Sequence, residues 1–254
     1  MKILFIRHAE PDYAHDSLTP KGRREAELLA RRLVTYPLGD LFVSPLGRAR
    51  ETAEYTTRLL HREAEILPWL PEFRGRYPDP ETGALRLAWD LKPRVWSIIP
   101  GIGDIRTWLD DPFFDGGNIR EIWKETVEGT DRLMARYGYV KDGPVWKCAK
   151  NTDATIALFC HFGISMAVIG YLTDQSPMVL WHRTLCLPSS VSEIITEERI
   201  PGEVSFRITK LGDLAHLESA GEPRSLAGLF PEIHTGVDST DPAVNRTPPW
   251  PFPG

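Results

Sequence analysis

The chain has 254 residues and a formal net charge of −5. A chain of this length can bury a sizeable core, as one large α/β domain or as two small ones. The acidic balance argues against binding to nucleic acid or to an anionic membrane, and no apolar run approaches membrane-spanning length. Any anionic substrate must therefore be captured locally, by a few converging Arg and His side chains.

Cysteine usage and the first residues predict the compartment. The three cysteines are Cys148, Cys160 and Cys186, and they show no CxxC spacing. This pattern indicates reduced thiols rather than a disulfide framework or a zinc site. The apolar stretch at the start is too short for a signal peptide and lacks a small-residue cleavage site. We therefore expect a cytoplasmic protein.

Strands and helices alternate over the first part of the chain. The apolar and turn-forming residues predict, in order, a strand at Lys2–Ile6, a helix opened by Thr19-Pro20, a turn at Gly39-Asp40, a strand at Leu41–Ser44, a helix from Pro45 to about His61 and a strand at Glu65–Leu70. This β-α-β-α-β order favours a parallel sheet with right-handed crossovers.

The middle of the chain, at about 73–153, breaks this alternation. It carries five of the eight tryptophans and a helix predicted over Ile119–Tyr137. The pattern then resumes with a strand, a helix and two possible edge strands, at Thr155–Cys160, Gly163–Leu172, Val191–Thr196 and Val204–Thr209. We predict a single domain over 1–254, a three-layer α/β/α sandwich with a mostly parallel sheet, a helical cap insertion at 73–153 and a proline-rich tail at 217–254.

The candidate catalytic and binding residues lie at the ends of the predicted strands. The first strand ends in Arg7-His8, the second leads through Ser44 to Arg48, the third is followed by Glu72, and the fourth ends in His161. In a parallel sheet these ends meet at one crevice, where α/β folds bind ligands. Arg supplies a planar fork of donors for phosphate oxygens, and a neutral His can act as a nucleophile. The set predicts a site that binds and attacks a phosphoryl group.

These motifs resemble those of the histidine phosphatase superfamily, also called the phosphoglycerate mutase-like family. The matching segments are Arg7-His8-Ala9-Glu10, the SPLGRARETA run from Ser44 to Ala53, Glu72, and His161-Phe162-Gly163. The stretch from Leu18 also resembles the first helix of the family. The likeness is close over about the first 75 residues and in a second block near 155–172, whereas the insertion and the tail carry little of it.

The resemblance implies a metal-independent phosphomonoesterase that needs no cofactor. His8 would attack phosphorus and form a phosphohistidine, and Arg7, Arg48 and His161 would hold the equatorial oxygens. Glu72 would protonate the leaving alcohol and later take a proton from the attacking water. The expected partner is a small phosphate ester, although phosphosugars and phosphoproteins also remain open, as does the oligomeric state.

The sequence departs from the family pattern in three places. Ala9 replaces the usual Gly, and Phe162 adds bulk after the second His. The position at which many members have an Asn falls on Ala14, so that phosphate ligand is either missing or supplied by Tyr13 or His15.

Selectivity is expected to come from the insertion, because the phosphate-binding residues contact a group that every substrate shares. Its tryptophans suit the core of a small cap, and they also suit an apolar or planar leaving group. Arg74 and Arg76 follow Glu72 closely, so at least one of them is a candidate contact for the non-reacting end of the substrate.

Three other functions are compatible with parts of the sequence. A phosphoglycerate-type mutase would have to exclude water and bind a second anionic group. A non-catalytic phosphate-binding or scaffold protein is disfavoured, because every position that catalysis needs retains the required side chain. A metallo-phosphoesterase could use His8, Glu10, Asp12 and His15, but the second ligand cluster of a two-metal site is missing.

Overall fold

The computed structural model of the protein describes residues 1–79 and 82–229. The predicted proline-rich ending lies outside the described residues from residue 230 onward, and so does His234. Within the described part, no helix is long and apolar enough to cross a membrane.

The described strands, numbered in chain order, are β1 Lys2–Arg7, β2 Pro11–Asp12, β3 Ser17–Leu18, β4 Leu38–Val43, β5 Glu65–Ile66, β6 Arg76–Pro78, β7 Leu85–Leu87, β8 Tyr139–Asp142, β9 Val145–Cys148, β10 Thr155–Cys160, β11 Val191–Ile200 and β12 Glu203–Asp213. The described helices are α1 Pro20–Leu33, α2 Gly47–Leu60, α3 Pro93–Trp96, α4 Ile119–Ala135, α5 Phe162–Leu172, α6 Pro177–Arg183 and α7 Ala215–Glu218. A short 3₁₀ helix covers Pro112–Phe114.

A central sheet in the order β5-β4-β10-β1-β11-β12-β9-β8 organises the molecule. The β5-β4-β10-β1 half is parallel, whereas every pairing from β1 through β11, β12 and β9 to β8 is antiparallel. The α/β class is confirmed, but the sheet is mixed, and its parallel share is smaller than the sequence predicted. The parallel half brings the carboxyl ends of β1, β4 and β10 to one edge.

Helices cover both faces of the sheet, because successive side chains of β1 point in opposite directions. Leu4 and Ile6 pack in a cluster with Leu29 of α1 and Ala53 of α2. On the other face, Phe5 and its neighbours pack in a cluster that includes residues of α5 and of the middle segment. The predicted three layers therefore follow from the alternation in one buried strand.

Several boundaries differ from the predicted ones. β4 begins at Leu38, so Gly39-Asp40 is strand rather than turn. The third strand is only Glu65–Ile66, and α2 begins at Gly47, after the Pro45 turn. By contrast, β10 has the predicted bounds.

The end of the predicted insertion belongs to the sheet. β8 and β9 form a hairpin, and β9 pairs with β12 through Lys147 and Glu203. The cap is therefore shorter than 73–153. Its aromatic centre is Trp108, which is 1 % exposed and lies against Trp123, Trp181 and Phe114 with ring centroids 5.2–5.9 Å apart. Trp108 and Trp123 thus form a cap core, one of the two roles considered for these tryptophans.

Thr19 caps the start of α1, and its contribution to the free energy of unfolding can be measured. The Thr19 hydroxyl accepts from the Gly22 amide at 3.0 Å and donates to Glu10 at 2.8 Å. Thr19→Ala should lower the free energy of unfolding by about 1 kcal/mol, as loss of an N-cap typically does. The matched control is Thr57→Ala, in which the hydroxyl lost is bonded within its own helix. If urea unfolding gives equal values for both variants, Thr19 is not a stabilising cap.

Candidate active site

The carboxyl end of β1 is fixed by backbone hydrogen bonds from two neighbouring segments. The Arg7 amide donates to the Ser190 carbonyl at 3.0 Å, and the His8 amide donates to the Cys160 carbonyl at 3.0 Å. The His8 carbonyl accepts from the Ser189 amide at 2.9 Å. The two leading residues of the site therefore leave the sheet in a fixed direction.

Two guanidinium groups are buried at this edge. Arg7 is only 7 % exposed, and Arg48 is only 5 % exposed. Arg7 Nη1 donates to the Cys186 carbonyl at 2.5 Å, and Arg48 Nη1 donates to the Asp16 carboxylate at 2.6 Å. Both Nε atoms are buried and find no hydrogen-bond partner among the described residues. Arg50 is exposed, as expected for a solvated charge.

Asp16 orients Arg48, a role that the sequence analysis did not identify. Its other carboxylate oxygen accepts from the Gly47 amide at 2.6 Å, at the start of α2. Asp16 adopts a left-handed conformation, with φ of 46°. A Cβ at position 47 would lie 2.1 Å from the Asp16 carbonyl oxygen, so the turn requires Gly47. The glycine in the SPLGRA run was the only sequence signal of this contact.

His8 is oriented as a nucleophile. Its Nδ1 lies 2.8 Å from the carbonyl oxygen of Ala9. Because a carbonyl oxygen only accepts, Nδ1 carries the proton and Nε2 carries the lone pair. Burial, together with the charges of Arg48 and Arg7, holds the pKa of His8 well below its usual range. The ring is therefore neutral at neutral pH.

His161 faces His8 across the site, with ring centroids 5.1 Å apart. Its Nε2 lies 2.8 Å from the Ser44 hydroxyl, which also accepts from the Leu46 amide at 3.2 Å. When the Ser44 hydroxyl donates to Nε2, the proton of the neutral ring lies on Nδ1. Nδ1 is buried without a partner among the described residues, so it is a free donor inside the site. Ser44 was recognised at a strand end, but this role was not.

Glu72 is the buried carboxyl group of the site. One oxygen accepts from the amides of Phe73 at 2.8 Å and Ile164 at 3.0 Å, which ties the loop after β5 to the start of α5. Burial raises the pKa of Glu72, outweighing these two hydrogen bonds and the charges of Arg7 and Arg48, which act in the opposite direction. The Glu72 carboxyl can therefore stay protonated at a pH above the ordinary titration range of a glutamic acid.

Tyr13 occupies the region in which the family has an Asn. Its ring lies against Arg48, with 5.5 Å from the guanidinium carbon to the ring centroid, and its hydroxyl bonds to Arg7. Tyr13 lines the same cavity as Arg7 and Glu72. Of the two replacements considered for Ala14, Tyr13 is the one that lies at the site.

His15 does not join the site. Its side chain is 77 % exposed and pairs with Asp12, with Nδ1 2.8 Å from the carboxylate. Ala14 is also exposed, and its amide donates to the Asp12 carboxylate. The Asp12 pair holds His15 at the surface, and its contact with substrate stays a prediction. No cluster of three or more potential metal ligands occurs within the described ranges.

Arg74 and Arg76 are also outside the lining of the cavity. The Phe73 ring is buried against Trp181, with centroids 4.8 Å apart. Arg74 is half exposed and lies 3.7 Å from Glu125. The amide of Arg76 is bound by the Asn118 side chain, and β6 continues into a hairpin with β7. Neither arginine is among the described lining residues of the cavity, and their contact with substrate stays a prediction.

The first part of the chain matches a known family model. The model of the histidine phosphatase superfamily (branch 1) matches residues 3–96. A probable phosphatase of Schizosaccharomyces pombe is 25 % identical over 243 residues, which covers 86 % of this chain and 96 % of that protein. The predicted resemblance to the histidine phosphatase superfamily is therefore confirmed.

Solved structures show the same fold at low sequence identity. A phosphoserine phosphatase of Entamoeba histolytica superimposes with a TM-score of 0.56 and 18 % identity, covering 85 % of this chain and 98 % of that one. A mycobacterial glucosyl-3-phosphoglycerate phosphatase superimposes with a TM-score of 0.53 and 19 % identity, covering 83 % of this chain and 98 % of that one. The α-ribazole phosphatase of Shigella flexneri superimposes with a TM-score of 0.53 and 18 % identity, covering 84 % of this chain and 97 % of that one.

The protonation states of the two site histidines can be measured directly. In phosphate-free buffer, ¹⁵N NMR should show His8 and His161 as neutral Nδ1–H tautomers that do not titrate between about pH 8 and pH 6.5, because burial lowers both pKa values. Their signals should change only at lower pH. Protonation of either ring near its ordinary pKa would contradict the assigned electrostatics.

Proposed function

We propose that the protein is a metal-independent phosphomonoesterase that acts through a phosphohistidine at His8. The observation that carries this proposal is a set of buried donors without protein partners. Among the described residues, Arg7 Nε, Arg48 Nε and His161 Nδ1 are all buried and unpaired. Buried donors are normally satisfied, and two guanidiniums with an imidazole N–H form a site for the oxygens of a phosphoryl group. The phosphatases among the relatives support this function.

The first half of the reaction forms a phosphohistidine. The lone pair on His8 Nε2 attacks phosphorus in line, a P–N bond forms, and the P–O bond to the alcohol breaks. Protonated Glu72 gives its proton to the leaving oxygen, and Arg7, Arg48 and His161 bind the equatorial oxygens. The raised pKa of Glu72 suits this role, because the carboxyl stays protonated at a pH where an ordinary glutamate is ionised.

The second half releases phosphate. Ionised Glu72 takes a proton from water, the oxygen attacks phosphorus, and the P–N bond breaks to restore neutral His8. The same carboxyl thus acts as acid and then as base, as microscopic reversibility requires. The chain's own cations supply the countercharge for both steps.

The cavity suits transfer of the phosphoryl group to water better than its transfer between two positions of a substrate. A phosphoglycerate-type mutase must bind a second anionic group. Along the described lining of the cavity, Arg7 is the only Lys or Arg, and it belongs to the phosphate-binding set. The mutase alternative therefore has no binding group to support it.

We expect the purified protein to hydrolyse 4-nitrophenyl phosphate in excess EDTA. His8→Ala should reduce turnover to background, because the nucleophile is lost. His15→Ala is the matched control and should retain wild-type turnover, because His15 is exposed and paired with Asp12. The proposal fails if EDTA abolishes turnover and a divalent ion restores it, or if the His8 variant remains active.

The role of Glu72 predicts a dependence on the leaving group. Glu72→Gln should slow an alkyl phosphate by roughly 10²–10⁴-fold, the usual contribution of general acid catalysis, and 4-nitrophenyl phosphate by much less. Glu125→Gln, at an exposed pair with Arg74, is the control. Equal losses on both substrates would remove Glu72 from the acid role.

The same residue predicts the pH dependence. Since the Glu72 pKa is raised, the acid form is present below that raised value and is lost as the pH increases through it. The wild-type rate of alcohol release from an alkyl phosphate should therefore decline on the alkaline side. In Glu72→Gln this decline should disappear, and its persistence would assign it to another group.

A further inference from the structure

A cavity of about 310 Å³ opens from the phosphate-binding residues. Arg7, Tyr13 and Glu72 form its inner end. The remaining walls are mainly aromatic and aliphatic, formed by Trp89, Leu91, Pro93, Trp96, Phe162, Trp181, Leu185 and Leu229. Because Glu72 is the proposed donor to the leaving oxygen, the group attached to that oxygen must lie in this cavity.

The aromatic wall begins directly beside Glu72. A Cβ at Gly163 would lie 2.2 Å from the Trp89 ring and 2.8 Å from the carboxyl oxygen of Glu72, so the indole and the carboxyl meet at this glycine. Trp89 also lies edge-on to Phe162, with centroids 6.2 Å apart, and 6.3 Å from Trp181. Trp89 comes from the cap and the other two rings from the α5–α6 region, so the wall is shared between them.

Two polar side chains of the outer wall, His182 and Thr184, are bonded to the protein itself, and of their polar atoms only Nε2 of His182 is buried without a partner among the described residues. His182 bonds through Nδ1 to the Met178 carbonyl at 2.8 Å and stacks on Trp96, with centroids 5.1 Å apart. Burial lowers the pKa of His182, so this ring offers no positive charge at neutral pH. The Thr184 hydroxyl donates to the Leu180 carbonyl at 2.7 Å. What the outer wall presents to a ligand is therefore mainly apolar surface, with one uncharged acceptor at His182 Nε2.

An anionic leaving group would be unfavourable in such surroundings. A carboxylate removed from water needs a paired cation or several donors, and among the described lining residues the lone guanidinium already binds phosphate. Aromatic walls instead favour a planar apolar group through ring contacts and burial of apolar surface.

We propose that the substrates are monophosphate esters of uncharged, predominantly aromatic alcohols. This inference rests on the proposed phosphatase function and adds the chemical class of the leaving group. It differs from the substrates after which the structural relatives are named, phosphoserine and glucosyl-3-phosphoglycerate, which carry further charge. It also differs from the expectation of an anion contact at Arg74 or Arg76.

The test compares two alkyl phosphates with similar leaving groups, 4-methylbenzyl phosphate and 4-carboxybenzyl phosphate. We expect kcat/KM to be at least about tenfold higher for the neutral ester, because the carboxylate loses hydration without gaining a partner. A smaller ratio, or a preference for the anionic ester, would overturn the inference. Turnover of 4-nitrophenyl phosphate separates the two claims: if it is absent, the phosphatase proposal itself has failed.

A charge placed at the rim tests the location of the leaving group. Leu185 lines the cavity and is 57 % exposed, so it tolerates a polar replacement. Leu185→Lys should raise kcat/KM for the carboxybenzyl ester relative to the methylbenzyl ester by about threefold or more, compared with the uncharged control Leu185→Gln. If the two variants have the same substrate ratio, the leaving group does not occupy this cavity.

Discussion

The burial of two guanidinium groups at one sheet edge is the constraint on which the rest of the site depends. Desolvating a charge costs several kcal/mol unless it is paired. Arg48 has the carboxylate of Asp16, whereas Arg7 bonds to the carbonyl of Cys186 and to the hydroxyl of Tyr13, which are both uncharged. The two Nε atoms have no partner in the part of the chain that the structure describes. A bound phosphoryl group would supply the missing negative charge, so the same arrangement that is unfavourable for stability favours binding.

The other ionisable groups of the site respond to this charge and to burial. Positive charge and burial both disfavour protonation of His8 and His161, so both rings are neutral. Burial has the opposite effect on Glu72, whose pKa is raised although the two guanidiniums act to lower it. A neutral nucleophile and a protonated acid can therefore coexist at one pH, as phosphoryl transfer requires. The fold brings them together by ending parallel strands at a common edge.

The sequence predicted the parts of the site that depend on local pattern. Apolar runs ended at Arg7-His8 and His161, and the SPLGRA motif located Arg48, so these positions followed from strand ends. The orienting contacts of Asp16 and Ser44 could not be predicted, because they depend on side-chain geometry between distant segments. The hairpin 139–148 was assigned to the cap for a similar reason, since its sheet partner, Glu203, lies much later in the chain. Closeness in sequence to Glu72 does not fix the direction of Arg74 and Arg76, which lie outside the described lining of the cavity.

The most direct test of the account is the location of the covalent phosphate. With 4-nitrophenyl phosphate, whose leaving oxygen needs little protonation, Glu72→Gln should accumulate the intermediate during a single turnover, because the base for the second step is lost. After quenching in base and proteolysis, mass spectrometry and comparison with phosphohistidine standards should locate phosphate on Nε2 of His8. Phosphate on Nδ1 or on another residue, or turnover with no phosphate on His8, would contradict the account.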